Sequence, residues 1–397
     1  MPTSYTTTVT VSGYASANYG SQLDSLEIVS GSTGPYELPQ PGSARASFLG
    51  LPVVSGVTQT PDWWIGKKLT FTIAPQGATG TVTWAGIVQG YSVSPVQTTS
   101  TDQIVELDLL GQTSRLSTEV ISSPLRYLIN PNFNWQYLDD AFNKELAKSS
   151  WDEAPAGLTW DKVVGTWDAY SNNKSGLTFT WASAPAAGTA FNGGDTVVGQ
   201  DMLSALTNIF STKYKGWFWF DDTTITMNAP ASYTDYTQIT SLNAQSCVLW
   251  QSLSASQSFS NIINSASVTD SSGAFTSTYL DSTSYDEWGA RFQDFGTCYE
   301  GLEADRDAVV TDKVNAYKQP NNYLQSLTIN LDAMTHVTGE WQNFYKSTKP
   351  VRLPITNIPS AYGGNHTYMV RGVQLNLTQK HAEATLLVVP STIYNPS

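Results

Sequence analysis

Charge is what this sequence has least of. Only 13% of its 397 residues are Asp, Glu, Lys or Arg, about half the usual share. What charge there is runs negative: 33 acids against 20 bases, a formal net charge of −13, with no acidic tail. Such a surface repels nucleic acid and anionic membrane, which argues against sequence-specific DNA binding; the same repulsion would let DNA pass a channel wall without sticking. Cysteine is almost absent. Cys247 and Cys298 exclude a disulfide framework and leave a single bridge open. The three histidines, His336, His366 and His381, form no H-x-x-x-H or H-E-x-x-H pair, so no metal and no cofactor are expected. Residues 1–20 lack a basic start followed by an apolar core, so no signal peptide is expected. No run approaches the ~20 apolar residues of a membrane span, and no membrane insertion is expected.

Apolar residues make up 40% of the chain and aromatic residues 12%, enough for a sizeable core in two or three domains. Four runs between Ser43 and Leu116 alternate apolar and polar residues: Ala44–Leu49, Lys68–Ile73, Thr81–Val88 and Ile104–Leu109. A period of two sets Leu69, Phe71 and Ile73, or Val105, Leu107 and Leu109, on one face of a strand. Gly and Pro punctuate the runs at Gly50–Pro52, Gly66, Pro75–Gly80, Gly90 and Pro95. Short strands with tight turns predict a small antiparallel barrel.

The chain before it opens with the strand-like "SYTTTVTV". After it, Ile129–Pro185 is crowded with Trp, Tyr and Phe among Asp, Asn and Gly, with a short helix expected over Asp139–Lys148. Met202, Leu203, Leu206, Ile209 and Phe210 share one face of a helix over Thr196–Ser211. "WFWFDDTTITM" reads as a hairpin with its turn at Asp221–Asp222. A second helix spans Glu300–Lys318 before Pro320. Strand signals at Ile262–Thr269, Leu324–Leu331, Val351–Ile355, Tyr368–Leu377 and Ala384–Val389 predict a second barrel. The expected fold class is mainly β with α insertions (α+β): two small antiparallel tube-like β-barrels, an intervening domain and a helical excursion. The expected divisions are 1–120 for the first barrel, 121–245 for the aromatic-rich domain, 246–270 with 321–397 for the second barrel, and 271–320 for a helical insertion.

Catalytic constellations are missing. There is no G-x-S-x-G elbow and no Gly-rich phosphate loop. The adjacent carboxylates Asp139–Asp140, Asp152–Glu153 and Asp221–Asp222 do not make the opposed pair of a glycosidase, and Asp221–Asp222 suit a turn. No enzyme is expected. Aromatic faces stack on pyranose rings, so Trp151, Trp160 and Trp167 are the candidate glycan-binding residues; the competing reading packs these aromatics in a core.

The ordered set of motifs resembles the tail hub or minor tail proteins of long-tailed bacteriophages, a family that shares its fold with the central baseplate hub of contractile-tailed phages. "IGKKLTFTIAPQG", "VTWAGIVQG" and "VELDLLGQTSRL" are similar to the family's first barrel, with Gly66, Gly86, Leu109 and Leu116 in matching places. Asp201–Met227 resembles its helix–hairpin unit, and "SNIINSASV" its strand with Asn264 and Val268. "SYDEWGAR" resembles a motif from Ser284 to Arg291, with Trp288 where Tyr is usual; "YMVRGVQLNLTQKHAEATLLVVP" is similar to its closing hairpin. Ile129–Pro185 departs from the family core. The resemblance implies a structural virion protein at the distal tip of the phage tail, assembled in the host cytoplasm. It implies a homotrimeric ring, two barrels per subunit, that continues the tail tube around the DNA channel and serves DNA ejection. The implied neighbours are the distal tail protein or tail tube above, tail-tip or fibre proteins below, and the tape measure protein. A carbohydrate- or receptor-binding tail-tip protein using residues 133–181 is the alternative.

Overall fold

The structure, a computed structural model, describes residues 5–14, 18–32, 38–75, 81–96, 103–121, 135–151, 176–184, 197–212, 217–228, 237–238, 242–243, 253–256, 262–270, 272–298, 303–319, 323–331, 351–360, 364–378 and 381–390. The first part holds β1 (Tyr5–Val11), β2 (Leu23–Gly31), β3 (Gln40–Leu49), the short β4 (Val53–Val54) and β5 (Val57–Thr58), β6 (Lys68–Pro75), β7 (Val82–Pro95) and β8 (Gln103–Gly111). The middle holds α1 (Leu138–Trp151), β9 (Thr178–Ser183), α2 (Met202–Thr212), β10 (Trp217–Asp221), β11 (Thr224–Asn228), β12 (Thr237–Gln238) and β13 (Leu242–Asn243). Then come β14 (Ser254–Ser256), β15 (Ser265–Asp270), β16 (Thr276–Leu280), α3 (Ser282–Trp288), β17 (Phe292–Cys298) and α4 (Glu303–Tyr317). The last strands are β18 (Tyr323–Asn330), β19 (Val351–Thr356), β20 (His366–Thr378) and β21 (His381–Pro390). The chain is mainly β with α insertions, as its alternation predicts.

One large sheet runs β1-β6-β7-β8-β3-β2-β20-β21-β18-β14, with β19 against β20 and β12 and β13 against β19. The period-two residues do what their spacing requires: Leu69, Phe71, Ile73, Val105 and Leu107 are completely buried in one apolar cluster. β20 is the shared strand. Its residues 366–370 pair with β19 and residues 372–378 with β2, along the same edge. At the change-over, Ser32 N–H donates to the Arg371 carbonyl over 2.9 Å, and a Cβ on Gly372 would lie 2.2 Å from the Ser32 carbonyl oxygen.

The path from β1 to β21 crosses seven strand spacings. A flat sheet would therefore separate these strands by about 34 Å. Instead the Tyr5 hydroxyl donates to the His381 carbonyl over 3.2 Å, so the sheet curls back on itself. A side chain makes this link; no ladder closes the sheet into a barrel among the described residues.

A second core joins α1 and α2 to the sheet β10-β11-β9. Met202, Ala205, Leu206, Ile209 and Phe210 form the buried stripe of α2. The helix starts at Met202, later than the periodicity suggests, because Asp201 Oδ1 accepts the Ser204 N–H over 2.8 Å and caps it there. Phe142 of α1 stacks on Phe179 at 4.6 Å, and Asn143 closes β9 by exchanging two 2.8 Å bonds with the Phe179 backbone. The hairpin register places its two loop residues at Asp222 and Thr223, one place beyond the expected turn, with Asp222 at φ +48°.

The span 271–320 is not simply a helical insertion. It contributes β16 and β17 to a three-stranded sheet with β15, backed by α4. β15, expected in the second barrel, belongs here; of that earlier segment, β14 alone joins the large sheet among the described residues. Sequence could not place β15, because both phases of Ile262–Thr269 alternate plausibly and Ser- and Thr-rich partners carry little apolar signal. Asn264 ties the unit together. Completely buried, it donates Nδ2–H to the Gly289 carbonyl and accepts the Arg291 N–H at Oδ1, over 2.8 and 2.9 Å. Asn264→Ala is expected to cost about 2–3 kcal/mol of local stability, read as faster amide exchange across β15–β17; unchanged exchange would show that these bonds carry nothing.

Candidate functional site

The two histidines among the described residues are kept apart. His366 and His381 occupy opposite ends of the β20–β21 hairpin, twelve residues apart on the ladder, or about 40 Å. His381 instead meets Glu383 at 2.6 Å, and His336 lies outside the described residues. Among the described residues no group of three His, Cys, Asp or Glu side chains could hold a metal, and no helix is long and apolar enough to cross a membrane. Cys298 is a buried thiol and Cys247 lies outside the described residues.

The carboxylate pairs among the described residues make structural contacts. Asp139 accepts its neighbour's N–H at the start of α1, and Asp140 meets Lys144 at 3.2 Å one helical turn on. Burial raises the Asp139 carboxyl above its ordinary value. Asp222 accepts from Gln112 at 2.6 Å and lies 3.7 Å from Lys68, fastening the β10–β11 hairpin to the large sheet. Asp152–Glu153 lies outside the described residues. Trp151 is the last residue of α1; Trp160 and Trp167 also lie outside the described residues. Trp181, from the same aromatic stretch, packs on the second core 6.2 Å from Phe210.

The hairpin junction is built on glycine. Gly31 stands at φ +86°, and a Cβ there would lie 2.7 Å from the Trp219 ring and 2.5 Å from the Arg371 carbonyl oxygen. On the outer sheet face, an open groove of about 480 Å³ is lined by Glu27, Arg45, Gln89 and Asp108 among others. Its charges are engaged: Arg45 with Asp108 at 3.2 Å, and Glu27 with Gln374 at 2.6 Å.

The strand β7 presents an exposed apolar surface. Gly90 does not end this strand. A bulge between Val88 and Gly90 lets it continue to Pro95, paired to β8 throughout. β6 stops opposite Ile87, so Tyr91–Pro95 forms an edge paired on one side among the described residues. Tyr91 and Val93 stand opposite the buried Leu107 and Val105 and are themselves exposed, with Val96 and Leu49 also exposed. The inner apolar face thus runs out to the rim along an open edge, the arrangement that proteins otherwise blunt or cover. Around Phe48 of β3, Trp63 and Trp64 (5.1 Å), Tyr14 and Tyr19 form an aromatic cluster, with Lys67 over Tyr14 and Trp63. The adjacent Trp pair was its only sequence signal.

No protein-family profile matches the chain, and no curated protein sequence matches it. Solved structures do. A tail protein from Neisseria meningitidis MC58 aligns with a TM-score of 0.57 at 14% identity, covering 99% of this chain and 98% of that one. The 43 kDa tail protein of prophage MuSo2 from Shewanella oneidensis aligns with a TM-score of 0.57 at 12% identity, covering 98% and 99%. The chain has a tail-protein fold. The likeness runs end to end in both directions. Both neighbours are named as tail proteins.

Proposed function

We propose that the chain is a structural virion protein, a tail hub at the distal tip, whose three copies form a ring that continues the tail tube around the DNA channel. The observation that carries this reading is the end-to-end agreement in fold with two tail proteins of matching length. The large sheet supports it: its two halves meet at β20 and are read as two tube-like barrel units, 1–120 and 246–270 with 321–397 less β15, which belongs with the small sheet of 271–320; the middle domain 121–245 flanks them. Three chains would supply six such units to a hexameric tube. The open edge Tyr91–Pro95 would find its partner strand or loop in a neighbour, which removes an edge liability, and a closing heterologous contact generates a cyclic trimer. The acidic surface suits a wall past which DNA moves without binding. The distal tail protein or tube would sit above, tip or fibre proteins below, and the tape measure protein within reach of the channel.

A reconstruction of the intact particle tests this directly. Three copies ringed about the tail axis at its distal end, with quasi-sixfold barrel units, are expected; density for the chain away from the axis would overturn the proposal.

A further inference from the structure

The small sheet carries exposed large apolar side chains on one of its faces. Ser265 of β15 lies opposite Leu280 of β16 on one side and Phe292 of β17 on the other. Opposed residues share a face, so Leu280 and Phe292 stand on the same side, two strand spacings or about 10 Å apart. The reverse side is the occupied one: Ala266 and Val268 bury themselves there with Val310 and Val314 of α4. Leu280 is 51% exposed and Phe292 62%, and Tyr285, on the short α3 that joins their strands, is 43% exposed. Large apolar side chains scattered singly over a surface need no explanation; a pair held in register on an open sheet face, linked by a helix bearing a third, marks a contact surface.

The charge around this patch is one-sided. Asp286 and Glu287 on α3 and Asp294, two residues along β17 from Phe292, are exposed; Glu303 and Asp307, on α4 behind the sheet, are exposed as well. Of the four basic residues among the described residues 262–319, Arg306 and Lys313 are buried and Lys318 is bonded to Asp281 at 2.9 Å. That leaves Arg291 as the exposed cation. A second copy of a chain carrying −13 is a poor electrostatic match; a cationic segment is a good one.

We infer that this face docks a basic segment of another protein, one in which aliphatic or aromatic side chains alternate with Lys or Arg. The apolar side chains would cover Leu280 and Phe292, and the cations would meet Asp286, Glu287 and Asp294. The inference stands on the small sheet alone and does not depend on a role in a tail.

The test uses the full chain and a labelled peptide, Lys-Leu-Lys-Phe-Lys-Leu-Lys, followed by fluorescence anisotropy, with the Glu-for-Lys peptide as control. The basic peptide is expected to bind more weakly as salt rises. Leu280→Ser with Phe292→Ser is expected to weaken it about tenfold or more without changing charge. Val53→Ser with Val57→Ser, exposed on the short β4–β5 hairpin, is expected to leave it unchanged. Circular dichroism checks that each double variant is folded. Equal binding by wild type and the Leu280/Phe292 variant, or equal binding of the acidic peptide, would overturn the proposal. So would self-association of the wild type that Phe292→Ser abolishes in sedimentation, because the occupant would then be a second copy.

Discussion

Gly31→Ala should lower the urea midpoint far more than Gly66→Ala, although both glycines sit at positive φ, +86° and +72°. Each substitution forces an L side chain into a backbone region that costs about 1–2 kcal/mol. At Gly66 that is the whole penalty, because a Cβ there meets nothing within 4 Å. At Gly31 the new methyl would lie 2.5 Å from a backbone oxygen of Arg371 and 2.7 Å from the Trp219 ring. The backbone oxygen belongs to the strand change-over on β20 and cannot yield cheaply. Overpacking adds about 1–3 kcal/mol, so the expected total is about 2–5 kcal/mol. The displaced indole should also shift the intrinsic fluorescence. Equal losses for the two variants would show that the close approach at the junction carries no stability.

Lys313→Met should stabilise the chain at neutral pH. Lys313 is buried, and burial pushes its ammonium from 10.5 to about 8, with the nearby Cys298 acting in the other direction. For a base held below its unfolded value, the unfolded chain binds the proton more tightly. Wild-type stability therefore rises with pH between about 8 and 10.5, and the full cost of burying the charge is present below about 8. That gap corresponds to about 3 kcal/mol. The Nζ lies 4.5 Å from the centre of the Phe295 ring, a contact that offsets about 0.5–2 kcal/mol of it. A methionine of similar length should gain about 1–3 kcal/mol at pH 7, and the gain should shrink by pH 10, where the lysine is neutral. A variant no more stable than wild type at pH 7, or a gain that does not change with pH, would contradict this account.

What the sequence discloses and what it hides divide along physical lines. Local periodicity is legible: Leu69, Phe71 and Ile73 announce an inward strand face, and the Met202–Phe210 stripe announces α2. Pairing is not legible, because it joins residues far apart in the chain. Nothing local tells β2 that its partner is β20, with Glu27 meeting Gln374 across 347 positions. Nothing in Ile262–Thr269 says that its strand pairs with Thr276–Leu280 and Phe292–Cys298 and not with the large sheet. Gly90 looks like punctuation, yet a bulge absorbs it and the strand runs on to Pro95. For the candidate surface, alternation exposes the apolar rim of β7 only once the end of β6 is known. The exposed pair Leu280 and Phe292 becomes a pair only through Ser265, which stands between them.

The pairing of β2 with β20 also has a consequence in time. A ribosome adding about 5–20 residues each second needs roughly 20–70 s to make the 347 positions that separate Glu27 from its partner Gln374. Throughout that interval β2 has one edge waiting, and the first half of the sheet is held in an unfinished state. Synthesis of the final hairpin is then the event that completes the fold, so a transcript cut short before His366 should yield a sticky, chaperone-dependent fragment in place of a smaller working protein.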